Sequence, residues 1–215
     1  MTAFIFDFDG VIVDSERLWA KGEKALFRKL IPGWTDDHQG KLMGLNLHGT
    51  FAHLRDSDAL PMDEEAFTHA YNRIAEDIYD NKATLFPGVR RLIEEIDAAG
   101  IPLGLASSSR LPWIMTALER FELDRYFTTV VSGEEFPERG KPYPDIYLCT
   151  AKQLGVDPKE CIAIEDSTNG IKAAKDAGMR CIAFQSGSNE HQDLSGADAV
   201  TETMQVRASD LLKLL

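Results

Sequence analysis

Ala3-Phe4-Ile5-Phe6-Asp7-Phe8-Asp9-Gly10 decides how the rest of the chain is read. Ala3–Phe8 is short, apolar and rich in aromatics, the pattern of a buried strand. Two acids are set into its end. Residues two apart on an extended chain point to the same side. Asp7 and Asp9 therefore face one cleft and repel each other unless a cation or a proton intervenes. Gly10 permits an immediate sharp turn. Taken alone, the stretch reads equally as a solvated acidic turn.

Beyond this strand the chain turns helical. Ser15 to Leu30 predicts a helix with Ser15 as its N-cap and Pro32-Gly33 beyond its end. Asp36 to Arg55 and Asp63 to Tyr79 carry helical patterns, separated by Asp56-Ser57-Asp58 and Pro61. After Phe86-Pro87-Gly88 strands and helices alternate. Strands are expected at Ile101–Ala106, Phe127–Val131, Cys161–Ile164, Arg180–Phe184 and, at an edge, Ala197–Val200. Helices are expected at Val89–Ala99, Pro112–Phe121, Pro144–Leu154, Thr168–Ala177 and Ala208–Leu214. Several of them stop at a glycine (Gly100, Gly155, Gly178). Alternation of this kind implies a parallel sheet covered on both faces. The expected fold is α/β: a doubly wound, Rossmann-like parallel sheet with a small helical domain inserted after its first strand. The core comprises residues 1–14 and 83–215, and the insertion residues 15–82.

Composition agrees with a folded chain of this size. Of 215 residues, 44% are hydrophobic and 27% charged, the proportions of ordinary globular domains. A disordered chain is excluded. The net charge of −12 argues against general nucleic-acid binding, which needs a basic footprint. An acidic protein that handles an anion needs a local cation or a metal to overcome its own field. Cys149, Cys161 and Cys181 are odd in number and form no Cys-x-x-Cys pair, so free thiols in a reducing compartment are expected. The N-terminus has no basic region, and no apolar run approaches a membrane span of ~20 residues. The expected location is the cytoplasm, without a membrane partner.

In doubly wound sheets, ligands bind outside the carboxyl ends of the strands. Four groups stand there. Asp7-Phe8-Asp9-Gly10 follows the first strand. Ala106-Ser107-Ser108-Ser109-Arg110 follows the second, where hydroxyls and free amides bind a phosphate or simply cap a helix. Gly140-Lys141-Pro142-Tyr143-Pro144 follows the third and holds Lys141 at a stiff turn. Glu165-Asp166-Ser167 follows the fourth and offers either a helix cap or oxygens for a hard cation such as Mg²⁺. Each has an ordinary structural explanation. Together they supply a carboxylate nucleophile, an acid for a leaving oxygen, a metal site and a cation clamp, which is the equipment of phosphoryl transfer.

In these residues the chain resembles the haloacid dehalogenase superfamily of phosphohydrolases. Asp7-Phe8-Asp9-Gly10-Val11 matches its first motif, Ser107 its second, Lys141 its third and Glu165-Asp166 its fourth. The helical stretch fits the family's cap. The resemblance implies that Asp7 attacks phosphorus and becomes an aspartyl-phosphate. It implies that Asp9 protonates the leaving oxygen and later deprotonates the hydrolytic water. Mg²⁺ is then expected on Asp7, the Asp9 carbonyl and Asp166, with Glu165 supporting its shell. Ser107 and Lys141 are expected on the phosphoryl oxygens. Asp9 disfavours dehalogenation, because a halide needs no acid, and the intact Asp-x-Asp disfavours phosphonate cleavage.

Within the superfamily the chain is most similar to sugar-phosphate phosphatases and β-phosphoglucomutases. Two departures favour the phosphatases. Trp19 stands where the mutases carry a histidine. Met43-Gly44-Leu45-Asn46-Leu47 carries no charge where the mutases hold a second phosphate with an arginine. The expected function is Mg²⁺-dependent hydrolysis of a small phosphorylated metabolite, a hexose or hexitol phosphate, by a monomer. A phosphohexomutase is the first alternative, and a catalytically idle binding protein of the same fold the second. Ser108, Ser109 and Arg110 are expected to join Ser107 and Lys141 in substrate contact, with Arg110 reading equally as a helix-start residue in solvent and Trp19 either as a wall over the sugar or as cap–core packing. Arg17, Lys21, Lys24 and Arg28 make one face of the first cap helix basic, either to attract an anion or as an ordinary solvated face.

Overall fold

The computed structural model describes residues 2–35, 38, 42, 45–58 and 60–214. Six strands form one parallel sheet: β1 (Ala3–Phe6), β4 (Leu103–Ser107), β5 (Thr129–Ser132), β6 (Cys161–Glu165), β7 (Arg180–Phe184) and β8 (Ala199–Thr201). Their order is β5-β4-β1-β6-β7-β8. The chain builds outward from β1 through β4 to β5, then returns to the other side of β1 with β6. The crevice at that reversal opens above the carboxyl end of β1, between β4 and β6.

Alternation along the strands separates two cores. Phe4, Phe6, Ile162, Ile164, Ile182 and Phe184 face one layer, with α4 (Val89–Ala98), α5 (Leu111–Arg120) and α8 (Ala208–Lys213). Ala3, Ile5, Cys161, Ala163, Cys181 and Ala183 face the other, with α6 (Asp145–Leu154) and α7 (Thr168–Asp176). Bulky residues dominate the first layer and small ones the second. Cys149, Cys161 and Cys181 are all free thiols.

The insertion contains α1 (Glu16–Leu30), α2 (Leu47–Asp58) and α3 (Glu64–Glu76). It has a core of its own, built from Phe27, Trp34, Phe51, Leu54, Phe67 and Tyr71. Of the helix expected over Asp36–Arg55, residues 36, 37, 39–41, 43 and 44 lie outside the described residues; α2 begins at Leu47 and runs past Arg55. The helix expected through Tyr79 gives way after Glu76 to a wider π turn, Asp77–Lys82. The chain leaves and re-enters the core through a two-stranded antiparallel ribbon, β2 (Val13–Asp14) with β3 (Thr84–Leu85). Two-residue strands are too short to register as a pattern in sequence. Among the described residues no helix is long and apolar enough to cross a membrane.

Candidate active site

The turn after β1 is set by Gly10. Its φ is +80°, and a Cβ there would lie 2.0 Å from an Asp166 carboxylate oxygen. Only a glycine lets the two strand ends approach this closely. Gly170, at the start of α7, plays the same part for Glu165, whose carboxylate would lie 1.9 Å from an added Cβ.

Asp7, Glu165 and Asp166 are buried, and each offers an oxygen within 4.8 Å of the others. Lys141 faces them. Its ammonium donates to Asp7 Oδ1 at 2.6 Å, to Glu165 Oε1 at 2.5 Å and to the Ala106 carbonyl at 3.0 Å. Burial works against the charged lysine, but Asp7 and Glu165 outweigh it and hold the ammonium above its ordinary range. Burial also pushes the Asp7 carboxyl up to about 8, with Lys141 opposing and Glu165 adding to the rise.

Glu165 and Asp166 are adjacent but differently equipped. Glu165 is fully buried and both its oxygens are occupied. Oε1 accepts from Lys141 and, at 2.7 Å, from the Tyr147 hydroxyl. Oε2 accepts from the Asp166 and Ser167 amides and from the Ser167 hydroxyl. Glu165 therefore anchors Lys141 and the turn behind the site. Asp166 is 4% exposed and lines the cleft, and its carboxylate has no hydrogen-bond donor or ion-pair partner among the described residues. Burial raises its carboxyl well above the usual range, and Glu16, Asp7 and Glu165 add repulsion. A buried carboxylate with no donor, beside a second carboxylate, fits a hard divalent cation with oxygen ligands.

Asp9 is held differently. Its Oδ1 accepts from the Ser15 hydroxyl at 2.5 Å and from the Tyr79 hydroxyl at 2.7 Å, and its Oδ2 from the Ser109 hydroxyl at 2.6 Å. Burial raises its carboxyl, while these three hydroxyls oppose the rise. Ser15 thus departs from its expected role as a helix cap: its side chain makes no capping bond to α1 because it reaches Asp9.

Ser107 is buried at the end of β4 and accepts from the Ser109 amide at 3.1 Å. Ser107, Ser108 and Ser109 line a cleft of about 360 Å³ together with Asp7, Asp9, Lys141 and Asp166. Trp19 lines its cap side. It stacks on Tyr71 (centroids 5.8 Å apart), lies 5.3 Å from Trp113, and donates from Nε1 to the Tyr79 hydroxyl at 2.9 Å. Arg110 does not line this cleft. It pairs with Glu134 at 2.6 Å and donates to Asn72 of α3 at 2.8 Å, where it borders a smaller recess. Arg110 therefore ties core to cap through Glu134 and Asn72.

Sequence reasoning missed four side chains here: Ser15, Glu16, Tyr79 and Tyr147. Glu16 lines the cleft half-buried, and burial raises its carboxyl to about 7, with Asp9, Glu23 and Asp14 adding to the effect. The tyrosines carried no signal, since each reads as an ordinary core residue of a helix.

Residues 4–184 match the family described as haloacid dehalogenase-like hydrolases. The chain is 32% identical to hexitol phosphatase B of Escherichia coli K12 over an alignment of 217 positions that covers 98% of this chain and 96% of that protein. It is 30% identical to a phosphorylated carbohydrates phosphatase of Thermotoga maritima over 182 residues, 85% of this chain and 84% of the relative. Among solved structures it is similar to CbbY from Rhodobacter sphaeroides in complex with phosphate, with a TM-score of 0.84, 27% identity and 95% of both chains covered.

Proposed function

The chain belongs to the haloacid dehalogenase-like hydrolases, and from that premise we propose that it hydrolyses a hexose or hexitol phosphate through a phosphorylated Asp7. The observation that carries this reading is the pairing of Asp7 and Asp166. One buried carboxylate is held by Lys141 at 2.6 Å, and the other has no donor among the described residues.

In the first half-reaction an Asp7 carboxylate oxygen forms a bond to phosphorus as the bond to the sugar oxygen breaks. The Asp9 carboxyl gives its proton to that oxygen, and the alcohol leaves. In the second, water attacks phosphorus, its proton passes to Asp9, and the bond to Asp7 breaks to release inorganic phosphate. Lys141 supports Asp7 as the ionised nucleophile by opposing the effect of burial. Ser107 and the amides after β4 supply donors for phosphoryl oxygens. Asp7, the Asp9 carbonyl and Asp166 would hold Mg²⁺, whose contribution is to neutralise charge on the transferring group. Glu165 would brace this set through Lys141 and the Asp166–Ser167 turn.

In this reading residues 15–82 are the cap and carry specificity. Trp19, Tyr71 and Trp113 offer aromatic faces to a sugar, and Glu16 and Glu23 offer acceptors to its hydroxyls. In the described part of the loop expected to distinguish mutases, Leu45, Asn46 and Leu47 line the cleft without a charge. That supports hydrolysis over phosphate exchange through a bisphosphate. The name of the 32% identical relative supports a hexitol or hexose phosphate.

A panel of phosphorylated metabolites assayed with Mg²⁺, with the Asp7→Asn protein as blank, tests the proposal. Release of inorganic phosphate fastest from hexose or hexitol phosphates is expected. Conversion of a hexose 1-phosphate plus trace bisphosphate into the 6-phosphate, without phosphate release, would replace it with the mutase reading.

A further inference from the structure

We propose that Tyr79 is the positioning residue for Asp9, with its hydroxyl oriented by the Trp19 indole. This rests on the reading of Asp9 as the acid and base of the reaction. Three hydroxyls reach the Asp9 carboxylate, and they are not equivalent. Those of Ser15 and Ser109 sit on short side chains that turn about a single bond. The Tyr79 hydroxyl is the tip of a rigid ring, 1% exposed, packed 5.8 Å from the Phe8 ring.

The direction of the hydrogen bonds is fixed by chemistry. An indole N–H donates only, so the Tyr79 oxygen must accept from Trp19 Nε1 at 2.9 Å. Its own proton is then left for Asp9 Oδ1 at 2.7 Å. The Ser109 hydroxyl, whose proton goes to Asp9 Oδ2, lies 3.5 Å from the same oxygen. The relay runs one way, from Trp19 through Tyr79 to Asp9.

The backbone at Tyr79 is also held. Arg120 of α5 donates to the Tyr79 carbonyl at 2.5 Å and to the Ala83 carbonyl at 2.6 Å. Tyr79 lies in the π turn by which the chain returns to the core, while Trp19 lies on α1 and Ser15 just before it. The carboxylate is thus bonded to both crossings between cap and core. A cap that shifts relative to the core moves the donors that aim Asp9. Displacing a reacting group by ~1 Å costs as much as 10²-fold in rate.

The test compares leaving groups. Tyr79→Phe keeps the buried ring and removes only the hydroxyl. In rapid-quench single turnovers, formation of the phosphorylated enzyme from a hexose phosphate should fall about 10–100-fold, the usual loss for an outer-shell partner. KM and the melting temperature should stay near wild type. With 4-nitrophenyl phosphate, whose leaving group departs without a proton, the first step should be nearly unchanged. In an Asp9→Asn background, Tyr79→Phe should add nothing, because both changes act through one group. Trp19→Phe, which also alters the sugar wall and so is read without regard to KM, should give the same dependence on leaving group with a smaller loss, and it decides the matter if Tyr79→Phe does not fold.

Equal losses with both leaving groups, an additive loss in the Asp9→Asn background, or no loss at all would overturn the proposal. If Asp9→Asn itself left the first step from a hexose phosphate unchanged, the acid assignment would fail first. A slow Asp9→Asn with a normal Tyr79→Phe would defeat the positioning role alone.

Discussion

The strand-end loops of the core and the helical insertion face each other across one cleft, yet they are stabilised in opposite ways. On the core side, charged groups are buried and held by named partners: Lys141 directs its ammonium to Asp7, Glu165 and the Ala106 carbonyl. On the cap side, α1–α3 close over an aromatic cluster, with Phe67 4.6 Å from Tyr71 and 5.5 Å from Phe51. The first arrangement holds reacting groups through short hydrogen bonds between charged partners. The second supplies shape and apolar surface and leaves chemistry to the other side. Asp9 is the exception that joins them, since its donors Ser15 and Tyr79 come from the two crossings.

The largest effect expected from breaking this contrast is Asp7→Asn. Turnover should vanish, a loss on the order of 10⁶ by comparison with other nucleophile deletions, while circular dichroism retains the native spectrum. Substantial residual phosphatase activity would remove Asp7 from the nucleophile role. Next comes Phe67→Ala, which should cost about 3–5 kcal/mol because the ring is fully buried. Native-state hydrogen exchange should show the loss confined to α1, α2 and α3. Equal loss of protection in β1 and β6 would mean that cap and core unfold as one unit.

The smallest expected effect is a pH-dependent one on stability. Burial raises the Asp7 carboxyl to about 8 and Asp166 well above the usual range. Between about pH 4 and 8 the metal-free folded chain therefore binds more protons than the unfolded chain. Its stability falls as pH rises through that window. The raised Lys141 value adds no slope there, since lysine stays protonated in both states. A divalent cation displaces these protons, so the rise in melting temperature with Mg²⁺ should be larger at pH 8 than at pH 6. A Mg²⁺ shift equal at both pH values, or a metal-free melting temperature that rises from pH 6 to 8, would contradict the carboxylate site.

The two regions also differ in how far they were legible in sequence. The parallel sheet could be read because β1, β4 and β6 are short apolar runs bounded by turns. Asp7, Ser107, Lys141 and Glu165-Asp166 stood out because each follows a strand. The cap could be recognised as helical but not resolved further. The two-residue β2 and β3 carry no periodicity, and the π turn at Asp77–Lys82 reads as the end of α3. Ser15 looked like a helix cap because a hydroxyl before a helix is usually one; only the fold brings Asp9 within its reach. Tyr79 looked like core packing and is buried like it, but its hydroxyl lies 70 residues along the chain from the carboxylate it meets. Arg110, expected on substrate, lies outside the lining of the cleft and bonds Glu134 and Asn72, both distant in sequence.

The most direct measurement is chemical trapping of the intermediate. Enzyme turning over ³²P-labelled hexose phosphate with Mg²⁺ is quenched in acid, digested and mapped. A hydroxylamine-labile label on the peptide containing Asp7, absent from the Asp7→Asn protein, is the predicted result. Label on another residue, or an Asp7→Asn protein that releases phosphate at the wild-type rate, would contradict hydrolysis through a phosphorylated Asp7.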